Sequence, residues 1–193
     1  MKLVLATRNQ HKLREFREAL PGIELLPLPD DVELPPETGE TFAENALGKA
    51  RAAHAATGLP TLADDSGIEA AALGGRPGVR SARYAGEDAS DEENLRKLLD
   101  EVASAGGDRS VAYVIALVHI TGDGEEWLFE HRCTGQLADE PRGAGGFGYD
   151  PAFVPDAYDD GRTMAELTPD EKHAISHRGR AAKAFREWLE TRA

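Results

Sequence analysis

The chain of 193 residues is 40% hydrophobic and carries a formal net charge of -13. This length is sufficient for one sizeable core, so we predict a single domain over residues 1–193. The negative charge repels polyanions and argues against nucleic acid as a partner. No apolar run approaches the roughly 20 residues of a membrane span, and the N-terminus lacks the apolar core of a signal peptide. We therefore expect a cytoplasmic protein with no membrane partner.

The predicted elements alternate between strands and helices. In chain order they are a strand at 2–7, a helix containing Leu13, Phe16 and Leu20, a strand at 23–28, a loop at 27–40, a helix at 42–57, a strand at 59–64, a turn at 65–67, a strand or short helix at 68–73, a helix at 91–105, strands at 110–120 and 126–137, and a helix after Ser176. The last two strands flank a glycine turn and are expected to pair antiparallel. Strands feeding helices in this way predict an α/β fold with a mixed sheet.

The joint between the first strand and helix carries three polar residues, Thr7, Asn9 and Lys12. A strand that leads into a helix leaves backbone N–H groups unpaired at the positive end of the helix dipole, which favours phosphate. Lys12 lies beside the apolar stripe of the helix, where it can clamp an anion. The alternative is that Asn9 only caps the helix and Lys12 extends its stem to water.

Lys49 occupies a similar place in the second predicted helix. On a helical wheel it lies within about 20° of Phe42 and shares a face with Ala46 and Ala53. A lysine at the edge of an apolar face needs an anionic partner, which is either a ligand or a structural carboxylate.

Two adjacent carboxylates, Asp64 and Asp65, follow an apolar strand and precede Ser66. Such residues often form turns, but loops at the strand ends of α/β proteins also build ligand sites. The acidic loop before them carries Glu37 and Glu40, which are near enough in sequence to supply another oxygen ligand. The six histidines are scattered and Cys133 is the only cysteine. Carboxylate oxygens without histidine or cysteine clusters suit Mg²⁺.

Two later segments are further candidates. The glycine-rich stretch 145–151 contains Phe147 and Tyr149, which either stack on a base or pack beneath a loop. His177 and Arg178 lie in the first turn of the last helix, where cations oppose the helix dipole. Lys172 lies just upstream, and spacing does not decide whether these three cations share a site or are exposed.

Taken in order, these segments resemble the inosine triphosphate pyrophosphatase family, which hydrolyses non-standard purine nucleoside triphosphates such as ITP, dITP and XTP to the monophosphate and pyrophosphate. The motifs are LATRNQHK, ETGETFAENALGKA, ADDSG, LGGRPGVRSARYAGEDA, GGFGYDPAF and AELTPDEKHAISHRG. They cover nearly the whole chain, and several motifs in sequence are far more specific than any one of them.

The resemblance implies a role for each matching residue. The triphosphate would be bound by Thr7, Asn9, Lys12 and Lys49, and the substrate site would also include Arg8, Gln10 and His11. Glu37 and Asp65 would bind Mg²⁺, and Asp65 would also act as the base for water. The base pocket would contain Phe147, Gly148, Tyr149, Asp150, Lys172, His177 and Arg178, and Ser66 would also contact the substrate. Arg8 is bulky for a turn where small residues would serve, so it either adds a phosphate contact or points outward.

The resemblance also implies an elongated mixed α/β structure with a central cleft between two lobes, usually a homodimer. Two alternatives remain open. One is a related pyrophosphatase for modified pyrimidine or other nucleotides. The other is a non-hydrolytic nucleotide-binding regulator, against which the carboxylates Glu37, Asp64 and Asp65 argue.

Overall fold

The computed structural model describes residues 1–192 and has an α/β architecture. Its main elements are β1 (Lys2–Leu5), α1 (Gln10–Ala19), β2 (Glu24–Pro27), α2 (Phe42–Thr57), β3 (Thr61–Ala70), α3 (Asp91–Ser104), β4 (Ser110–Ile120), β5 (Glu126–Leu137), β6 (Phe153–Pro155), α4 (Pro169–Ile175) and α5 (His177–Glu190). The predicted α/β class is confirmed. Helix α4 was not predicted, although Thr168 and Glu171 form the capping box that begins it.

The strands form one mixed sheet in the order β2-β1-β3-β4-β5-β6. Strand β1 pairs in parallel with β2 and β3, whereas β5 and β6 pair antiparallel. Strands β4 and β5 are joined by residues 121–125, where the Thr121 N–H donates to the Glu125 carbonyl at 2.9 Å. A parallel pair needs a crossover of about a dozen residues, so this short turn makes β4 and β5 antiparallel, as predicted.

The predicted turn at 65–67 is wrong, because β3 continues through these residues to Ala70. Gly67 makes the extended path possible by allowing other groups to approach closely. A Cβ added there would lie 2.3 Å from Ser81 Oγ and 2.5 Å from the Gly78 carbonyl oxygen. The sequence Asp-Ser-Gly is typical of turns, but here the glycine accommodates neighbouring chain within a strand.

Helix α2 begins and ends as predicted. Thr41 Oγ1 accepts the Glu44 N–H at 3.2 Å, and Glu44 Oε2 accepts the Thr41 N–H at 3.2 Å. Gly58 ends the helix with φ 65°, a left-handed conformation that favours glycine. Helix α3 begins at an equivalent capping box of Ser90 and Glu93.

The chain divides into two compact units, each with its own core. Unit 1 contains Met1–Asp65, Ile115–His131 and the described chain from Arg178 onward. Unit 2 contains Ser66–Val114 and Arg132–His177. The single domain, the elongated shape and the cleft stay predictions.

Within residues 1–192, no helix combines the length and apolar character that crossing a membrane requires. The cytoplasmic location stays a prediction.

Candidate functional site

A buried carboxylate surrounded by cations lies within unit 1. Lys12 Nζ is 3.0 Å from Asp64 Oδ2, and Arg178 Nε is 3.7 Å from the same oxygen. The Asp64 side chain is 0% exposed. Burial alone would raise the pKa of Asp64, but the charges of Lys12, Arg178 and Lys49 outweigh burial and hold that pKa well below its usual range. Asp64 is therefore ionised at neutral pH.

The pKa of Lys12 is lowered as well, which for a cationic group disfavours the charged form. Its burial, together with repulsion from Lys49 and Arg178, lowers its pKa, and attraction to Asp64 offsets only part of this effect. An anion beside these cations would reduce the repulsion between them. The cluster therefore favours a polyanionic ligand.

Lys49 has the structural carboxylate partner that was one of its two predicted alternatives. It lies on the buried face of α2 with Phe42, Ala46 and Ala53, as predicted, and its Nζ contacts Glu37 Oε1. Burial would lower the pKa of Lys49, but the charges of Asp64, Glu37 and Asp65 together raise it. Glu37 is thereby held beside the cation cluster.

Asp65 has a different environment from Asp64, because successive side chains of a strand point to opposite faces. Its Oδ2 accepts a hydrogen bond from Asn45 Nδ2 at 2.9 Å. Burial and the nearby charge of Glu37 raise the pKa of Asp65, and this effect exceeds the lowering by Lys49 and by Asn45. Glu37 and Asp65 are thus two carboxylates that repel each other.

This carboxylate pair fits a magnesium ion. A divalent cation would relieve the repulsion that raises the Asp65 pKa. Among residues 1–192 there is no group of three or more His, Cys, Asp or Glu side chains arranged to hold a metal. Mg²⁺ typically uses one or two protein carboxylates and completes its coordination with water and phosphate oxygens. Glu37 and Asp65 meet that requirement.

The residues at the start of α1 make local hydrogen bonds. Asn9 Oδ1 accepts the N–H groups of His11 at 2.9 Å and Lys12 at 3.3 Å, so the capping role of Asn9 is confirmed. The Asn9 N–H donates to Thr7 Oγ1 at 3.1 Å. Gln10 and His11 are exposed in the first turn of α1. Lys12, by contrast, turns inward to Asp64.

Arg8 contacts the loop after β2, and its predicted phosphate contact stays a prediction. Its guanidinium donates to the carbonyl oxygens of Leu28 at 3.0 Å, Pro29 at 2.7 Å and Val32 at 2.9 Å. Arg8 therefore fastens the beginning of the acidic loop that leads to Glu37.

A second cluster lies within unit 2 around the buried Asp150. Its Oδ2 accepts hydrogen bonds from Lys172 Nζ at 2.8 Å and from the Phe147 N–H at 2.9 Å. Its Oδ1 accepts from the Tyr113 hydroxyl at 3.1 Å. The Tyr113 ring stacks on His177 with 4.6 Å between the ring centroids. Four of the predicted base-pocket residues are thus joined through Asp150 and Tyr113.

Tyr149 packs inside unit 2. It is buried, and its hydroxyl donates to the Ser81 carbonyl at 2.7 Å. Burial raises the pKa of Tyr149 above its ordinary value. The Gly148 N–H donates to Asp91 Oδ2 at 2.8 Å, and Ser66 lies half-buried in β3. Of the two predicted aromatics, Tyr149 follows the packing alternative.

Arg178 belongs to unit 1, where its NH1 lies 2.5 Å from Glu15 Oε2. Its predicted role in the base pocket stays a prediction. Glu15 and Asn45 were missed, although both follow a helical spacing: Glu15 lies three residues after Lys12, and Asn45 four residues before Lys49. No sequence pattern indicated that Tyr113 belongs to the cluster in unit 2, because a tyrosine within a long apolar strand is typical of a core residue.

An α/β protein with buried cations beside a pair of carboxylates is suited to binding a polyphosphate together with a divalent cation. The family model described as the Ham1 family matches residues 3–188. The chain belongs to the Ham1 family, and the predicted resemblance is confirmed.

Individual relatives agree over nearly the whole chain. A protein named dITP/XTP pyrophosphatase from Symbiobacterium thermophilum is 52% identical, covering 93% of this chain and 90% of that protein. One of the same name from Mycobacterium bovis is 50% identical, covering 93% and 91%. The structure of a HAM1 protein from Coxiella burnetii is similar with a TM-score of 0.90 and 43% identity, covering 100% of both chains.

Proposed function

We propose that this protein hydrolyses the non-standard purine nucleotides dITP, XTP and ITP to the nucleoside monophosphate and pyrophosphate. The observation that carries the proposal is similarity over nearly the full length to proteins named dITP/XTP pyrophosphatase. The cation cluster and carboxylate pair of unit 1 supply the chemistry that this reaction needs.

Glu37 and Asp65 are the residues that would hold Mg²⁺. When bound, Mg²⁺ neutralises phosphate charge and polarises phosphate oxygens. The pair is pre-arranged for this role, because Lys49 holds Glu37 and Asn45 holds Asp65.

Asp65 serves as the base for the attacking water. Its carboxylate takes a proton from the water, whose oxygen forms a bond to the α-phosphorus while the bond from that phosphorus to the bridging oxygen breaks. The bridging oxygen leaves with pyrophosphate. The hydrogen bond from Asn45 holds the Asp65 carboxylate in place for this proton transfer.

Lys12 and Lys49 stabilise the negative charge of the triphosphate and of the leaving pyrophosphate. Asp64 keeps Lys12 inside unit 1 through their 3.0 Å ion pair. Because Asp64 is engaged with Lys12 and Arg178, its role is to hold cations, and the proton transfer belongs to Asp65.

Hydrogen-bond donors in the base pocket would select for a purine with an oxygen at position 6. Hypoxanthine and xanthine present an oxygen at position 6 where adenine presents an amine, and donors from His177, Arg178 or the backbone would satisfy that oxygen. Leaving a buried donor opposite another donor costs about 1 to 3 kcal/mol, which corresponds to about ten- to a hundredfold discrimination. Such donors would disfavour dATP, whereas rejection of dGTP would require other contacts.

We also propose a homodimer, which light scattering of the purified protein tests.

A steady-state comparison of dITP, XTP, dGTP, dATP and dUTP, with Mg²⁺ present and pyrophosphate release measured, tests the substrate class. We expect dITP and XTP to give the highest kcat/KM. Preference for dUTP would favour a pyrimidine-directed enzyme, and tight binding without pyrophosphate release would favour a regulator. Equal rates for dATP and dITP would contradict selection for the 6-oxo group.

A further inference from the structure

The amide of Asn45 joins two parts of the proposed metal site. Asn45 lies in α2 and is buried, with 5% of its surface exposed. Its Nδ2 donates to Asp65 Oδ2 at 2.9 Å, and its Oδ1 accepts the Gly39 N–H at 2.8 Å. Gly39 lies two residues after Glu37. One side chain therefore connects the Asp65 carboxylate to the segment that carries the other proposed metal ligand.

The approach of this segment to α2 is close. A Cβ added at Gly39 would lie 2.7 Å from Asn45 Oδ1 and 2.8 Å from Glu44 Cβ, so the contact requires glycine at this position. One helical turn after Asn45, Lys49 contacts Glu37 directly. Helix α2 thus holds both proposed metal ligands, Asp65 through Asn45 and Glu37 through Lys49.

Helix α3 contains a second asparagine in the same local setting. Asn94 lies four residues after the cap Ser90, as Asn45 lies four residues after the cap Thr41. Asn94 is 1% exposed, and its Oδ1 accepts the Ala85 N–H at 2.7 Å. The difference is in the acceptor: Asn94 Nδ2 donates to the Ala82 carbonyl at 3.1 Å, and Asn45 Nδ2 donates to a carboxylate. Stabilising a preceding loop explains the two side-chain hydrogen bonds of Asn94, but it does not explain the bond from Asn45 to a carboxylate.

We propose that Asn45 is a positioning residue, which fixes the direction of the Asp65 carboxylate relative to Glu37. The inference rests on the proposed function. A carboxylate with one oxygen in a fixed hydrogen bond cannot rotate freely, so it presents a constant geometry to a cation and to water. Residues that orient metal ligands in this way typically affect metal affinity or activity by about 10- to 100-fold when they are removed.

Three variants separate positioning from simple stabilisation. Asn45→Ala removes both hydrogen bonds. Asn45→Asp keeps the shape and the acceptor for the Gly39 N–H, but it replaces the donor toward Asp65 with a like charge. Asn94→Ala is the matched control, because it removes an equally buried asparagine from the same helical position. For each protein, kcat and KM for dITP, Mg²⁺ binding by calorimetry and the Tm are measured.

We expect both Asn45 variants to lower kcat by about 10- to 100-fold while KM for dITP stays within about threefold, and Asn45→Ala to weaken Mg²⁺ binding. Asn94→Ala is expected to lower the Tm while kcat stays within about twofold. If Asn45→Ala does not fold, the same comparison of kcat with KM in Asn45→Asp decides.

A kcat within about twofold of wild type in the folded Asn45 variants, with a lower Tm as in Asn94→Ala, would overturn the positioning role. If wild type releases no pyrophosphate from dITP, the proposed function fails. In that case equal Mg²⁺ affinity in wild type and Asn45→Ala would also overturn the positioning role, and weaker binding in the variant would support it.

Discussion

Asp64 and Asp65 are neighbours in β3, yet their pKa values are displaced in opposite directions. Both are buried, and burial alone raises the pKa of each. The charges of Lys12 and Arg178 lower the pKa of Asp64 by more than burial raises it. For Asp65, the negative charge of Glu37 adds to the rise in pKa that burial causes. The strand alternation that sends the two side chains to opposite faces produces this division. One aspartate is a counter-ion to neighbouring cations, and the other is the residue that we propose as base and metal ligand.

Replacing Asp64 with asparagine is expected to destabilise the protein strongly. Asp64→Asn leaves the half-buried Lys12 without its partner at 3.0 Å and removes the charge near the buried Arg178. Breaking a buried ion pair on one side typically costs about 3 to 5 kcal/mol. Urea denaturation at pH 7 measures the loss. The exposed Asp31→Asn is the control, with a change expected within about 0.5 kcal/mol. Equal stability of the two variants would contradict a structural role for Asp64.

The contribution of Asp64 also depends on pH with a definite sign. Because the pKa of Asp64 is lower in the folded than in the unfolded protein, its stabilisation is fully present above the unfolded value of about 4 and is lost as the pH falls toward the folded value. The free energies of unfolding of wild type and Asp64→Asn should therefore converge below about pH 4. A difference that stays constant down to strongly acidic pH would show that the charge is not responsible.

Asp65→Asn is expected to lower turnover and raise stability together. Loss of the base should reduce kcat by about 10²- to 10⁴-fold, with the KM for dITP largely unchanged. The pKa of Asp65 is raised in the folded state, so its ionised form opposes folding at neutral pH and its neutral replacement should increase the Tm of the metal-free protein. This gain should disappear below the unfolded pKa. Full activity in Asp65→Asn would refute the base role.

Lys12→Ala is expected to weaken substrate binding more than turnover. A lysine that contacts phosphate contributes a charge-assisted bond, and its loss should raise the KM for dITP by about 10- to 100-fold. Lys2→Ala is a suitable control, because the Lys2 side chain is 67% exposed and pairs with Glu24 on the surface. An unchanged KM in Lys12→Ala would mean that the lysine serves Asp64 alone.

Arg8→Ala separates a loop contact from a phosphate contact. Arg8 donates to the carbonyl oxygens of Leu28, Pro29 and Val32, so its loss should speed amide hydrogen exchange in the segment 28–32. The KM for dITP should stay within about twofold. Unchanged exchange together with a large rise in KM would instead support the phosphate contact that the family resemblance implied.

The sequence predicted correctly those helix ends and turns that depend on residues close together in the chain. The capping box of Thr41 and Glu44, the left-handed Gly58 and the glycine turn between β4 and β5 each depend on residues within a few positions of one another. The buried position of Lys49 followed from helical spacing alone. Its partner Glu37 did not, because the path of a proline-rich loop is set by contacts such as those of Arg8, which lie far away in sequence.

The course of β3 and the neighbours of its aspartates could not be read from the sequence. Asp-Ser-Gly is a frequent turn, and only the proximity of Gly78 and Ser81 to Gly67 shows why these residues remain extended. Likewise, Asp64 and Asp65 are identical in type and adjacent in sequence. Their different chemistry arises from the charges of Lys12 and Arg178 beside Asp64 and of Glu37 beside Asp65. The helical spacing of Asn45 indicated a face shared with Lys49 and gave no indication of its bond to Asp65.

The bond that is broken tests the account most directly. Purified protein is incubated with dITP and Mg²⁺, and the products are identified by ³¹P NMR together with ion-exchange chromatography. We predict equal amounts of dIMP and pyrophosphate, with no orthophosphate formed. Release of orthophosphate with dIDP would place the attack at the γ-phosphate, and dITP that stays intact would show that the protein is not a hydrolase; either result would contradict the proposed function.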